Sequence, residues 1–372
     1  MPRTSIGIFF QKCFSAIFLL NLSTAFTRNA VNKTSSYYHR SFTLLLCLLL
    51  HSSFSQASLP FYLLRSTLAP DHEQTQIELK SFLSSRDVYL HTDSCGHGKN
   101  NLMASSDSGQ MVCIKRYPGV RNELRGELYS YHFSQLLGTY NVPAIVITKL
   151  SYSDPFWAPH RSMLEKLSWH EGNLLVVSQY YQGLSDAYLP EALKSKEGLR
   201  QTALKQEQIS PMLQWSHLIV LDYLTGENDR LVSTLVNLEQ NSSMFSYPVH
   251  NLGLGMNQRL IAYDNERAFG LGYDFATKRN VKKNVRTSQK NYQNYFLKKL
   301  CLISDEVREN LLQLSREDDP AETLENHIQA VDFDSFTLAP HMTSLHRAIF
   351  KQRILNALKH FEQCPSLSSI NP

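Results

Sequence analysis

Four side chains, Lys115, Glu127, Asp229 and Asp264, follow one another in an order that suits phosphoryl transfer. That chemistry needs a cation on the phosphates and a carboxylate to aim the cation. It also needs an acid to take the acceptor's proton and an acid to hold a divalent metal. Lys115 ends the alternating run Met111 to Lys115, in which Met111, Cys113 and Lys115 share one face and Val112 and Ile114 the other. Asp229 follows Gly226 in a loop after a long apolar segment, and Asp264 ends a strand-like run 35 residues later. Each residue alone has a plainer reading: a snorkelling lysine, a dipole-favoured glutamate, a turn aspartate, and an Asp229–Arg230 surface ion pair. The ordered set carries the assignment. For a phosphate loop the chain offers Gly96, Gly98 and Gly109 without the G-x-G-x-x-G spacing.

Placing these residues requires strands before them and helices around them. Val88 to Leu90 reads as a short strand, Asp107-Ser108-Gly109 as a turn, and Asn122 to Leu137 as a helix stopped by Gly138. Strands follow at Val142 to Thr148 and Asn173 to Tyr180. Ser210-Pro211 reads as the opening of a helix that Gly226 closes. Arg259 to Tyr263 is a strand, and Ser304 to Leu314 and Ser344 to Phe361 are helices. The pattern is α+β, with a strand-rich lobe to about residue 185 and a helical lobe after it.

The charge balance is uneven. The net charge of +4 is too small to indicate nucleic acid, and no aromatic–basic stripe runs through the chain. The first 70 residues carry no Asp or Glu. They hold two apolar stretches, Ile6 to Phe26 and Phe42 to Leu50, each shorter or more interrupted than the ~20 residues a bilayer helix needs. The second, behind His39 and Arg40, reads as a signal anchor with the N-terminus cytosolic, and a mitochondrial presequence is the alternative. This divides the chain into a tail, anchor and start of stem at 1–64, a stem at 65–78 and a lumenal domain at 79–366. After the anchor come Cys95, Cys113, Cys301 and Cys364, without any C-x-x-C. Four cysteines allow three pairings. Proximity within each lobe favours Cys95–Cys113 and Cys301–Cys364, with four buried thiols as the plainer alternative. Asn241-Ser242-Ser243 is a glycosylation sequon. The basic run Lys278, Arg279, Lys282, Lys283, Arg286 and Lys290 reads first as a solvated loop and second as a device to steer acidic partners.

The segment Leu221-Asp222-Tyr223-Leu224-Thr225-Gly226-Glu227-Asn228-Asp229-Arg230-Leu231-Val232-Ser233 resembles the F-D-Y-L-T-x-N-F-D-R-V-V-S segment of the Four-jointed family of Golgi kinases. Asp264-Asn265-Glu266-Arg267-Ala268-Phe269 is similar to that family's D-N-E-S-A-F. Gly126 to Tyr131, Leu136-Leu137-Gly138 and Val142-Pro143 resemble its G-E-L-x-S-Y-Y-L-x-x-L-L-G and V-P run, and the likeness covers roughly Leu79 to Cys364. The resemblance implies an atypical two-lobed protein-kinase-like fold, ATP with Mg or Mn, and Ser/Thr phosphorylation. It further implies cadherin-repeat partners of the Fat and Dachsous type, a role in planar cell polarity and growth, and a single-pass type II protein of the Golgi lumen, or secretion after cleavage. By matching positions, Asp229 is the proton acceptor, Asp264 the metal ligand, Lys115 the phosphate contact, where the family often has Arg, and Glu127 its partner. One position departs. The family carries Asn five residues after the catalytic Asp, and here that residue is Thr234, a poorer ligand for hard cations, with Asn237 as a nearby substitute. A pseudokinase serving as a lumenal binding protein, and a phosphotransferase acting on sugars, are the alternatives.

Overall fold

The computed structural model describes residues 72–364 apart from 86–87, 92–94, 96–99, 118–120, 196–197, 201–203, 256–257 and 278–291. The apolar stretches before residue 71, Gly96 and Gly98, and the basic run 278–290 lie outside the described residues.

The first element is helix α1 (His72–Ser84). Gln76, Leu79 and Phe82 recur one turn apart and are buried, and Gln76 donates to Asp332 Oδ2 at 2.8 Å. Residues 72–78, read above as the end of a stem, are therefore the docked first half of this helix.

Strands β1 (Val88–His91), β2 (Asn101–Ser106), β3 (Met111–Tyr117), β4 (Ile145–Lys149) and β5 (Leu174–Gln179) form one antiparallel sheet in the order β1-β2-β3-β5-β4. Its central strand β3 shows the expected alternation only in part, because Cys113, on the face of Met111 and Lys115, is buried as well. Val112 and Ile114 are fully buried, whereas Met111 and Lys115 are half-buried. Helix α2 (Arg121–Leu137) connects β3 to β4 and buries Leu124, Leu128, Tyr129, Phe133 and Leu137. Two short helices, α3 (Arg161–Lys166) and α4 (Glu191–Lys194), sit in later connections.

The helical lobe is organised by α5 (Gln206–Thr225), which is buried without interruption from Met212 to Thr225. The helix begins four residues before the expected Ser210-Pro211 opening, and Pro211 lies inside it. Proline is tolerated there because the carbonyl it leaves unpaired belongs to Glu207, in an exposed first turn that water can satisfy. Gly226 ends the helix with φ 77°, the left-handed cap that glycine takes at least cost. Helix α6 (Leu231–Leu238) follows. Strands β6 (Ser185–Asp186), β7 (Leu252–Leu254) and β8 (Leu260–Ala262) form a second antiparallel sheet. The rest is helical: α7 (Leu271–Thr277), α8 (Asp305–Arg316), α9 (Pro320–Val331), α10 (Phe333–Leu338) and α11 (Ser344–Glu362).

The two expected disulfides are formed, Cys95–Cys113 within the sheet lobe and Cys301–Cys364 between the start of α8 and the end of α11. The expected single-pass type II topology, and the Golgi-membrane localisation built on it, are corrected. Among the described residues no helix is long and apolar enough to cross a membrane. The 20-residue α5 has the length, but Gln206, Glu207, Gln208, Gln214, His217 and Asp222 interrupt it, and it is the core of the helical lobe.

Candidate active site

Lys115 reaches off β3 toward α2 and the loop after β8. Its Nζ donates to Glu127 Oε1 at 3.0 Å and to Asp264 Oδ1 at 2.8 Å. Burial alone would lower its pKa, but the charges of Glu127 and Asp264 outweigh that and raise it, so the ammonium is fixed as a cation. Glu127 is held from every side. Tyr117 Oη donates to its Oε1 at 3.0 Å and the Asn265 backbone N–H to its Oε2 at 3.1 Å. The approach of α2 to this loop depends on Gly126. A Cβ there would lie 2.6 Å from the carbonyl oxygens of both Asn265 and Glu266.

Asp264 itself has φ 59°, a left-handed backbone that aspartate tolerates better than most residues. About a third of its side chain is exposed. The next acid in the loop, Glu266, has its pKa raised to about 7, first by burial and then by the charges of Asp264 and Glu127.

Asp229 lies on a different loop and makes no ion pair with Lys115. Its Oδ2 is 3.6 Å from Arg267 Nε and 3.9 Å from His250 Nδ1, and its side chain is about a third exposed. Its backbone N–H donates to Glu227 Oε1 at 2.7 Å. Glu227 is buried, and that burial pushes its pKa up to about 8 although Arg230 pulls it down.

The residue that joins the two aspartates is Arg230, for which the sequence offered a surface ion pair with Asp229 as the plainer alternative. It is wholly buried. Its Nη2 and Nε donate to Asp222 of α5 at 3.0 and 3.2 Å. Its Nη1 donates to the carbonyls of Asn251 and Tyr263, each at 3.0 Å, and its Nη2 to Asn265 Oδ1 at 2.8 Å. Arg230 follows Asp229 directly, and Tyr263 and Asn265 flank Asp264, so one guanidinium sets the spacing of the two acids.

Thr234 is buried in α6 and its hydroxyl donates to the Arg230 carbonyl at 3.1 Å, the i−4 bond that hydroxyls make inside helices. It is part of the helix and is not aimed at a ligand. Asn237, named as its substitute, is exposed near the end of α6. Gly109 is an exposed turn glycine with φ 82° between β2 and β3.

This arrangement can hold a polyphosphate. A cation is clamped between two carboxylates, and Asp264 and Asp229, each about a third exposed, offer oxygens to a metal and to a proton. Residues 74–367 match the Four-jointed box protein middle domain. Mouse Four-jointed box protein 1 is 27% identical over 290 residues, which is 75% of this chain and 62% of that protein. The chain thus spans less than two thirds of the relative's length. The Drosophila melanogaster protein named extracellular serine/threonine protein kinase four-jointed is 24% identical over 233 residues, covering 48% of this chain and 40% of that one. A crystal structure of the Golgi casein kinase with Mn and ADP bound superposes with a TM-score of 0.50 at 12% identity, over 81% of this chain and 78% of that one. The fold is thus kinase-like, as expected. Because the family match runs through both lobes and contains all four candidate residues, the chain belongs to the Four-jointed box family.

Proposed function

We propose that this chain is an ATP-dependent protein serine/threonine kinase using Mg or Mn, and that its acceptors are hydroxyls in cadherin-repeat proteins of the Fat and Dachsous type. The observation that carries the reading is the Lys115 ammonium between Glu127 and Asp264, with Asp229 fixed on the adjoining loop through Arg230. The serine/threonine and cadherin assignments rest on the family resemblance and on the Drosophila relative's name. Use of a nucleotide with a divalent metal is supported by the Mn and ADP in the Golgi casein kinase.

Asp264 and Glu266 supply hard carboxylate oxygens, the donor type that Mg and Mn take, so the residues fit such an ion. Bound there, it would neutralise charge developing on the phosphates. Lys115 orients the phosphates, Glu127 holds Lys115 in place, and Asp229 accepts the proton of the attacking hydroxyl. The Arg267 guanidinium stands beside this carboxylate, its Nε 3.6 Å from Asp229 Oδ2.

The test pairs binding with transfer. Asp229→Ala should keep metal-dependent nucleotide binding and lose about 10²–10⁴-fold in rate. Asp264→Ala should lose both. If Asp264→Ala holds ATP–Mn as tightly as the parent chain, the metal assignment is wrong. A second reading, a nucleotide-binding protein without transfer, is favoured by Thr234, whose hydroxyl is committed to Arg230. It predicts binding with no transfer to cadherin fragments.

A further inference from the structure

The two faces of the five-stranded sheet differ around Lys115. On one face, Val112 and Ile114 of β3, Leu102 and Ala104 of β2 and Val177 of β5 belong to the hydrophobic core. On the other face, beside Lys115, stand the half-buried Asn101, Met103, Met111 and Ser178, together with buried Val176, the register partner of Lys115 on β5. Cys113 lies on this second face, two residues and about 7 Å along β3 from Lys115. Its register partners are Met103 on β2 and Ser178 on β5. Because Cys113 is bonded to Cys95, a disulfide sits on the lysine's face of the strand. Met111 continues the row, its sulfur accepting a hydrogen bond from Gln182. The result is a sulfur-lined surface beside a phosphate-binding cation.

Sulfur is polarizable and packs well against aromatic rings, more adaptably than branched aliphatic side chains. We propose that the Cys95–Cys113 disulfide, with Met103 and Met111, is the roof over the heterocyclic base of the nucleotide whose phosphates Lys115 takes. The disulfide is then part of the binding site as well as a staple. It covers the base with two sulfurs and joins residue 95 to the strand that carries the lysine. This inference rests on the kinase reading above.

The second disulfide is an internal control, since each pair has one buried and one half-buried cysteine. The full chain is treated with a water-soluble phosphine, with and without ATP–Mn, then alkylated and mapped by peptide mass spectrometry. Each reduced bond gives two thiols and one phosphine oxide, whose oxygen comes from water. Nucleotide should slow reduction of Cys95–Cys113 at least about fivefold relative to Cys301–Cys364. In direct binding measurements, Cys95→Ala/Cys113→Ala should lower nucleotide affinity at least about tenfold and Met103→Ala about threefold. Cys301→Ala/Cys364→Ala should lower stability and leave affinity unchanged. If the parent chain binds ATP–Mn and the two disulfides are slowed equally, the roof is wrong while the kinase reading stands. Full affinity in a folded Cys95→Ala/Cys113→Ala chain has the same meaning. If the parent chain binds no nucleotide, both readings fall.

Discussion

A buried guanidinium must have its N–H groups met by acceptors, and Arg230 meets them with Asp222, two backbone carbonyls and Asn265. Arg230→Met should cost about 3–5 kcal/mol in chemical denaturation, because it leaves the Asp222 carboxylate buried without its partner. Adding Asp222→Leu should recover much of that loss. Glu227 makes the opposite case, a carboxylate that burial keeps protonated. Its pKa rises from 4.5 unfolded to about 8 folded. The native state therefore binds the proton more tightly than the unfolded chain does. That contribution is fully present below pH 4.5 and is lost as the pH rises to about 8. The midpoint of thermal unfolding should fall across that window, and Glu227→Gln should flatten the fall. A variant with an unchanged pH profile would show that Glu227 is ionised in the folded protein. Lys115, Glu127 and Asp264 were legible because strand alternation and the order of elements suffice to place them. Arg230 was not. Its acceptors come from α5, β8 and the loops around β7, and only the folded chain brings them together.

At the scale of elements, the site depends on how closely α2 meets the loop after β8. Gly126→Ala would press a methyl group against two backbone carbonyls, which cannot swing aside as a side chain can. It should destabilise by about 1–3 kcal/mol and weaken nucleotide binding by drawing Glu127 away from Lys115. If Gly126→Ala binds nucleotide with full affinity, that spacing is not needed. The strand and helix periods around Lys115 gave α2 to within one residue and β3 to within two. Helix α1 was hidden because it buries a glutamine along with single apolar residues one turn apart, so no apolar run announces it. Helix α9 carried a signal that went unused, Asp319 as N-cap followed by Pro320 at the first helical position. Helix α6 was left unassigned, although Leu231, Val232 and Leu235 carry a helical spacing and are buried.

At the scale of the whole molecule, Cys301–Cys364 closes a segment of 63 residues around the four C-terminal helices α8 to α11. Removing it should cost about 2–4 kcal/mol by the loop entropy it withholds from the unfolded chain, seen as a lower denaturation midpoint. An unchanged midpoint would mean that packing alone holds those helices. Both pairings were legible from lobe membership, since a disulfide needs its cysteines within reach and each lobe folds on its own segment of chain. What those C-terminal helices do to α2 reaches further. Tyr129 donates to Glu325 of α9, Asn310 of α8 donates to the Leu137 carbonyl, and Arg125 donates to the His341 carbonyl and contacts His346 of α11. A helix pinned along its length to the opposite lobe has little freedom to swing. Glu127 is held beside Lys115 by contacts within the chain itself. Rotating this helix out of place would therefore require breaking contacts to three separate C-terminal elements at once, so the lysine–glutamate pair is built into the packing of the lobes.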